Sequence, residues 1–141
     1  LTRYLLDTNA CIALMNGRPA NVDARLRRVL KSGADVAISS IVFSELWYGV
    51  SRSARADENA ARLRMFIAGP LPVVAFESED ARVAGEIRGS LAVRGTPIGP
   101  YDLLIAAQAL QRSYTLVTAN ADEFARVDDL RWENWADAYP T

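Results

Sequence analysis

Histidine is absent from this 141-residue chain. Its absence excludes a Ser-His-Asp or Cys-His nucleophile system and any His-ligated zinc site. A single cysteine, Cys11, excludes an internal disulfide and a thiolate cluster. Lysine is nearly absent too: Lys31 is the only one, and no glycine-rich loop precedes it, so there is no P-loop for a nucleotide. No apolar run approaches the roughly 20 residues a membrane span needs, and the N-terminus has no basic, apolar, small-residue leader pattern. A single cytoplasmic domain spanning residues 1–141 is the expectation. Hydrolytic chemistry on this chain must rest on carboxylates, hydroxyls, amides and arginines.

Half the residues are hydrophobic and 23% are charged, ordinary values for a globular chain. The net charge of −1 gives no hint of a polyanionic partner. The cations, however, are arginines apart from Lys31. Two readings stand: genomic codon bias, or guanidiniums suited to gripping phosphates.

Short apolar runs alternate with helical periodicity. Strands are expected at Arg3–Leu6, Asp35–Ile38, Leu71–Phe76, Tyr114–Thr118 and within Leu130–Trp135. Helices are expected from Thr8 or Asn9 to Met15, over Ala20–Lys31, from Ser39-Ser40 to Arg52, over Asp57–Ala68, from Ser78 to Val93 and over Pro100–Arg112, with a helical turn at Ala121–Phe124. The strands are continuous apolar runs, which indicates an α/β domain with a mainly parallel sheet of four to five strands between two helical layers. In such sheets, sites form beyond the carboxyl ends of the strands.

Three acids stand at such positions. Asp7 ends the first strand in YLLDTN; it either caps the next helix or binds a ligand. Glu45, in SSIVFSELWYGV, lies off the apolar face made by Val42, Phe43, Leu46, Trp47 and Val50. It is either a solvated residue or an acid that needs a partner in an apolar setting. Asp102, in GPYDLLIAAQAL, sits in a first helical turn that the helix dipole favours for an acid, at the end of a loop rich in glycine and proline. After the Tyr114–Thr118 strand come Thr118-Ala119-Asn120-Ala121-Asp122-Glu123, again rich in oxygen donors. Carboxylates gathered without a cation raise one another's pKa values. A hard divalent cation removes that cost and activates water without histidine.

LLDTN, SELWYG, GPYDLLIAAQA and LVTANADEF, in this order and down to the LRWENW ending, resemble the PIN-domain ribonucleases, and more narrowly the VapC toxins of toxin–antitoxin modules. The resemblance implies a three-layer α/β/α fold. It implies Mg²⁺- or Mn²⁺-dependent cleavage of RNA by Asp7, Glu45 and Asp102, with Glu45 holding the metal directly or through a water. Asn9 and Thr118 match supporting polar positions. Asn120 occupies a position that is a fourth acid in many relatives, and Asp122 and Glu123 are the nearby carboxylates able to compensate. The resemblance further implies cleavage of a tRNA anticodon stem-loop (initiator tRNA in this subgroup), inhibition of translation, a homodimer, and a VapB antitoxin whose tail covers the site in a hetero-oligomer. The apolar residues Trp47, Tyr48, Leu63 and Phe66 are either docking surface for it or core. Two rivals remain in view. A phosphatase with an aspartyl nucleophile wants a second Asp where Asn9 stands and a lysine downstream. A catalytically silent binding module would have let the acids erode. Capping by Thr8 or Asn9 would leave Asp7 free for metal.

Overall fold

The computed structural model describes residues 2–137. Chain order is β1 (Arg3–Leu6), α1 (Thr8–Asn16), α2 (Ala20–Lys31), β2 (Asp35–Ser39), α3 (Ser40–Arg52), α4 (Ala56–Ile67), β3 (Val73–Val74), α5 (Ser78–Arg94), α6 (Pro100–Gln111), β4 (Thr115–Val117), α7 (Ala121–Phe124) and β5 (Trp132–Glu133). The five strands form one sheet in the order β3-β2-β1-β4-β5, and every pairing is parallel. The alternation of apolar runs with helical segments thus leads to the expected α/β architecture. The last residues, 138–141, and the assignments that touch them lie outside the described residues.

The central strands are apolar along their length because helices cover the sheet. Leu5, Leu6, Ile38 and Leu116 are fully buried. The edge strands are shorter than the apolar runs that contain them. Leu71–Phe76 contributes only Val73–Val74 and Leu130–Trp135 only Trp132–Glu133, since each edge strand has a single neighbour to bond. Chain breaks fall at the expected punctuation. Gly17, left-handed at φ 69°, closes α1, and its N–H bonds back to the Ala13 and Leu14 carbonyls.

Strand order decides where a site can form. The chain steps from β1 outward through β2 to β3, then crosses back to β4 and outward to β5. With right-handed crossovers, α1–α4 fall on one face and α5 and α6 on the other. The direction of winding therefore reverses between β1 and β4, and a crevice opens beyond their carboxyl ends. The two strands are locked in register there: Leu6 pairs with Val117, and the Asp7 N–H donates to the Val117 carbonyl at 3.0 Å.

One buried ion pair fixes the far helical layer. Asp80, wholly buried near the start of α5, accepts from Arg112 Nε at 3.1 Å and Nη2 at 2.7 Å, and from the Glu77 N–H at 2.8 Å. Arg112 also donates to the Ala75 carbonyl at 2.7 Å. Gln108, fully buried on α6, donates to the Val74 and Ala75 carbonyls at 3.3 and 3.2 Å. Helix α6 is thereby tied to α5 and to the β3 edge. Removing one partner strands a buried charge, so Arg112→Ala is expected to cost about 3 kcal/mol in denaturant unfolding. Arg112→Lys should recover little of it, because an ammonium cannot span Asp80 and Ala75 as the planar fork does.

Candidate active site

Asp7 is the N-cap of α1. Its backbone is still extended at φ −78°, ψ 176°, and its Oδ1 accepts the Ala10 N–H at 2.8 Å. This corrects the expectation that Thr8 or Asn9 does the capping. Thr8 already has helical geometry, and its hydroxyl turns away to donate to Glu45 Oε1 at 2.8 Å. Capping and function are not alternatives for Asp7. A carboxylate offers about four acceptor sites, and the cap and a bond from the Thr118 hydroxyl leave room for more. Asp7 is 5% exposed, and burial raises its pKa; the bonds from Thr118 and Ala10 oppose that shift, while the charge of Glu45 adds to it.

Glu45 arrives from α3, half-buried, steadied by Thr8. Asp102 arrives from the first turn of α6, and Gly99 and Pro100 set its approach. Burial comes first among the causes that push the Asp102 carboxyl up to about 7, followed by Glu123 and then by the charges of Glu45 and Asp7. The three acids predicted from sequence therefore converge, from three separate elements, within electrostatic reach at the switch point.

A fourth carboxylate joins them. Glu123, in the first turn of α7, accepts the Gly99 N–H at 2.6 Å on Oε1 and the Asn120 side-chain amide at 2.5 Å on Oε2. It also hydrogen-bonds Asp102, and these donors hold its own pKa below the usual range. A methyl group placed on Gly99 would lie 3.5 Å from both Asp102 Oδ2 and Glu123 Oε1, an ordinary contact distance that shows both carboxyls packed against the loop at this residue. Without a cation, Asp102 keeps a proton to higher pH and shares it with Glu123. Asn120 is thus a donor that positions Glu123, while its backbone N–H bonds the Thr118 hydroxyl oxygen at 2.9 Å. Asp122 and Asn9 are exposed, and their side chains bond nothing among the described residues.

The donor set fits a hard divalent cation: it is all oxygen, it is rich in carboxylate, and burial together with the neighbouring acids keeps Asp102 protonated in its absence. Among the described residues, however, no three carboxylates stand close enough to grip one ion as they are placed. Cys11, wholly buried behind Asp7, is no rival nucleophile; burial first, then the Asp7 charge, pushes its thiol pKa far up.

The raised Asp102 pKa makes a stability prediction. The folded state holds this proton up to about pH 7, whereas the unfolded carboxyl loses it near 3.8. Stability of the metal-free protein should therefore fall as pH rises from 4 through 7 and then level off. In thermal scans Asp102→Asn should flatten this slope and raise the Tm at pH 8.

Residues 4–130 match the PIN domain family. Ribonuclease VapC2 of Rickettsia felis is 40% identical over 132 residues, covering 94% of this chain and 97% of that protein. The tRNA(fMet)-specific endonuclease VapC of Shigella flexneri is 37% identical over 136 residues, 96% of this chain and 100% of that one. Among solved structures, VapBC2 from Rickettsia felis bound to a DNA fragment from its promoter contains a chain that superposes with a TM-score of 0.89 at 39% identity, covering 95% of this chain and 99% of that one. DNA-bound VapBC from Salmonella typhimurium gives 0.87 at 36%, covering 96% and 99%. Four motifs in order, the parallel sheet and carboxylates from three elements at its switch point agree with these likenesses: the chain belongs to the PIN-domain family and, within it, to the VapC ribonucleases.

Proposed function

We propose that this ribonuclease is a Mg²⁺- or Mn²⁺-dependent endonuclease toxin that cuts a tRNA anticodon stem-loop and so halts translation in the cytoplasm. Initiator tRNA is the first candidate substrate. The observation that carries the reading is the convergence of Asp7, Glu45 and Asp102 beside Glu123, an arrangement that leaves Asp102 holding a proton unless a cation takes its place. The name of the Shigella relative supports the substrate. A phosphatase reading has neither the second aspartate nor the downstream lysine, and a silent module has no use for the retained acids.

Asp7, Asp102 and Glu45, the last directly or through a water, would hold the cation. When bound, it lowers the pKa of water and offsets charge on the phosphodiester. The chain's own contribution is placement. The α1 cap and Thr118 fix Asp7, Thr8 fixes Glu45, and the Gly99 N–H fixes Glu123 against Asp102. Thr118 and Asn120 support the acids, whereas Asn9, matched to a supporting position, bonds none of them among the described residues, and Glu123 takes the place of a fourth acid at Asn120.

The solved relatives are VapBC complexes, which supports a VapB-type antitoxin as partner in a hetero-oligomer, with the toxin as a homodimer. A groove of about 290 Å³ between α1, α3 and α4 runs up to Glu45 and is walled by Ile12, Met15, Val50 and Leu63. Because it reaches Glu45, we assign this surface to an apolar antitoxin segment. Of the residues weighed for docking, Leu63 is core at 1% exposed, whereas Tyr48 is 65% exposed. Trp47 stacks on Phe43 and lies under Arg64.

Asp7→Asn and Asp102→Asn are each expected to lower RNA cleavage at least about 100-fold while the fold persists by circular dichroism. Excess EDTA should stop the wild type, and thiol reagents should leave it active because Cys11 is sealed in the core. Wild-type rates in either variant, or cleavage in EDTA, would end the metal reading. Induction in a bacterial host followed by transcriptome-wide mapping of new RNA ends tests the substrate: cuts confined to one tRNA loop support it, and dispersed cuts reject it.

A further inference from the structure

A second cavity opens on the other side of Asp7, beyond the carboxyl ends of β4 and β5. It holds about 260 Å³, just under the roughly 300 Å³ at which small-molecule pockets begin. That is room for one flat ring system rather than a helix or a whole nucleotide. Val22, Val117 and the buried Trp135 form apolar walls. Four polar residues line it with them: Asn9, Arg18, Thr118 and Asn134.

The cavity adjoins the acids, although none of them lines it. Thr118 lines it and also bonds Asp7, and Asn9 lies two residues beyond Asp7 on the same helix. Asn9 is exposed, and its amide bonds nothing among the described residues. Asn134 spends its Oδ1 on the Ala136 N–H at 2.9 Å, which leaves its Nδ2 able to donate. Arg18 is exposed, and its side chain has no bond or ion pair among the described residues. By contrast, Arg25, Arg62, Arg94, Arg112 and Arg126 are all engaged.

Apolar walls exclude a bare phosphate, whose desolvation would go uncompensated. They suit a nucleobase, with two apolar faces and an edge of donors and acceptors that side-chain amides match. A free guanidinium at the rim suits the phosphate attached to it. The geometry points to this cavity as a nucleobase subsite: one unstacked base of the RNA beside the scissile bond enters it, Asn9 and Asn134 meet its edge, and Arg18 holds an adjoining phosphate. This deepens the ribonuclease reading by adding the residues that choose the cut position.

The test reads binding separately from cleavage. A fluorescent RNA hairpin with an unpaired loop is titrated without metal, and each loop base in turn is replaced by an abasic site. In the wild type, one abasic position should weaken binding about tenfold, a loss within the reach of a single well-made base contact. Arg18→Ala should weaken every hairpin alike and lower the salt slope by about one. Ala119→Trp places a ring at the exposed mouth of the cavity; it should abolish the abasic effect and blur the cut position when Mn²⁺ is added. A flat abasic scan in the wild type, or wild-type behaviour in both folded variants, overturns the subsite even if cleavage proceeds. Loss of affinity for the antitoxin alone, with RNA binding unchanged, overturns it too and gives the cavity to a protein. Abasic sensitivity without cleavage would keep the subsite and sink the metal-nuclease reading instead.

Discussion

Burial of Asp7 and Asp102 beside the further carboxylates Glu45 and Glu123 is the constraint around which the site is organised. Left to themselves, these carboxylates would separate or take up protons. Asp102 does retain its proton well above the normal range, and it shares it with Glu123. The fold holds the acids together with interactions that lie mostly outside the cluster. Parallel pairing of β1 with β4 delivers Asp7 and Thr118 side by side. The Asp80–Arg112 pair and Gln108 anchor α6, which carries Asp102. Stability is given up at the site and recovered elsewhere, as is common where a charge cluster awaits a cation.

Local hydrogen bonding then tunes each acid differently. Asp7 is deeply buried but receives the α1 cap bond and the Thr118 hydroxyl. Glu123 accepts bonds from Gly99, Asn120 and Asp102 and stays ionised, so its neighbour Asp102 takes the proton. Glu45 has the single bond from Thr8 recorded for its side chain among the described residues. The arrangement is asymmetric: one side of the cluster is stiffly held by backbone, and the other is carried on one side-chain contact. On one flank lies the apolar groove between α1, α3 and α4, and on the other the small cavity rimmed by Arg18.

Much of this was legible in the residues. Continuous apolar runs indicated buried parallel strands, and Gly17 and the Gly99-Pro100 entry marked helix ends. Acids after a strand end or in a first helical turn pointed to one edge. The cap was misread because Thr, Asn and Asp are all good caps, and only the backbone angles of Asp7 and the turn of Thr8 toward Glu45 separate them. Glu123 was one of several nearby acids, and nothing in LVTANADEF separates it from Asp122. Its place is set by Gly99, which is 24 residues away in the chain.

By itself, then, the sequence determined the class of chemistry, because the absent histidines and the available oxygen donors do not depend on folding. It also determined the elements, whose periodicities are local. Which carboxylates meet and which one keeps a proton were decided only by the tertiary structure. Those outcomes depend on burial and on distances between residues from different elements, which no local pattern encodes.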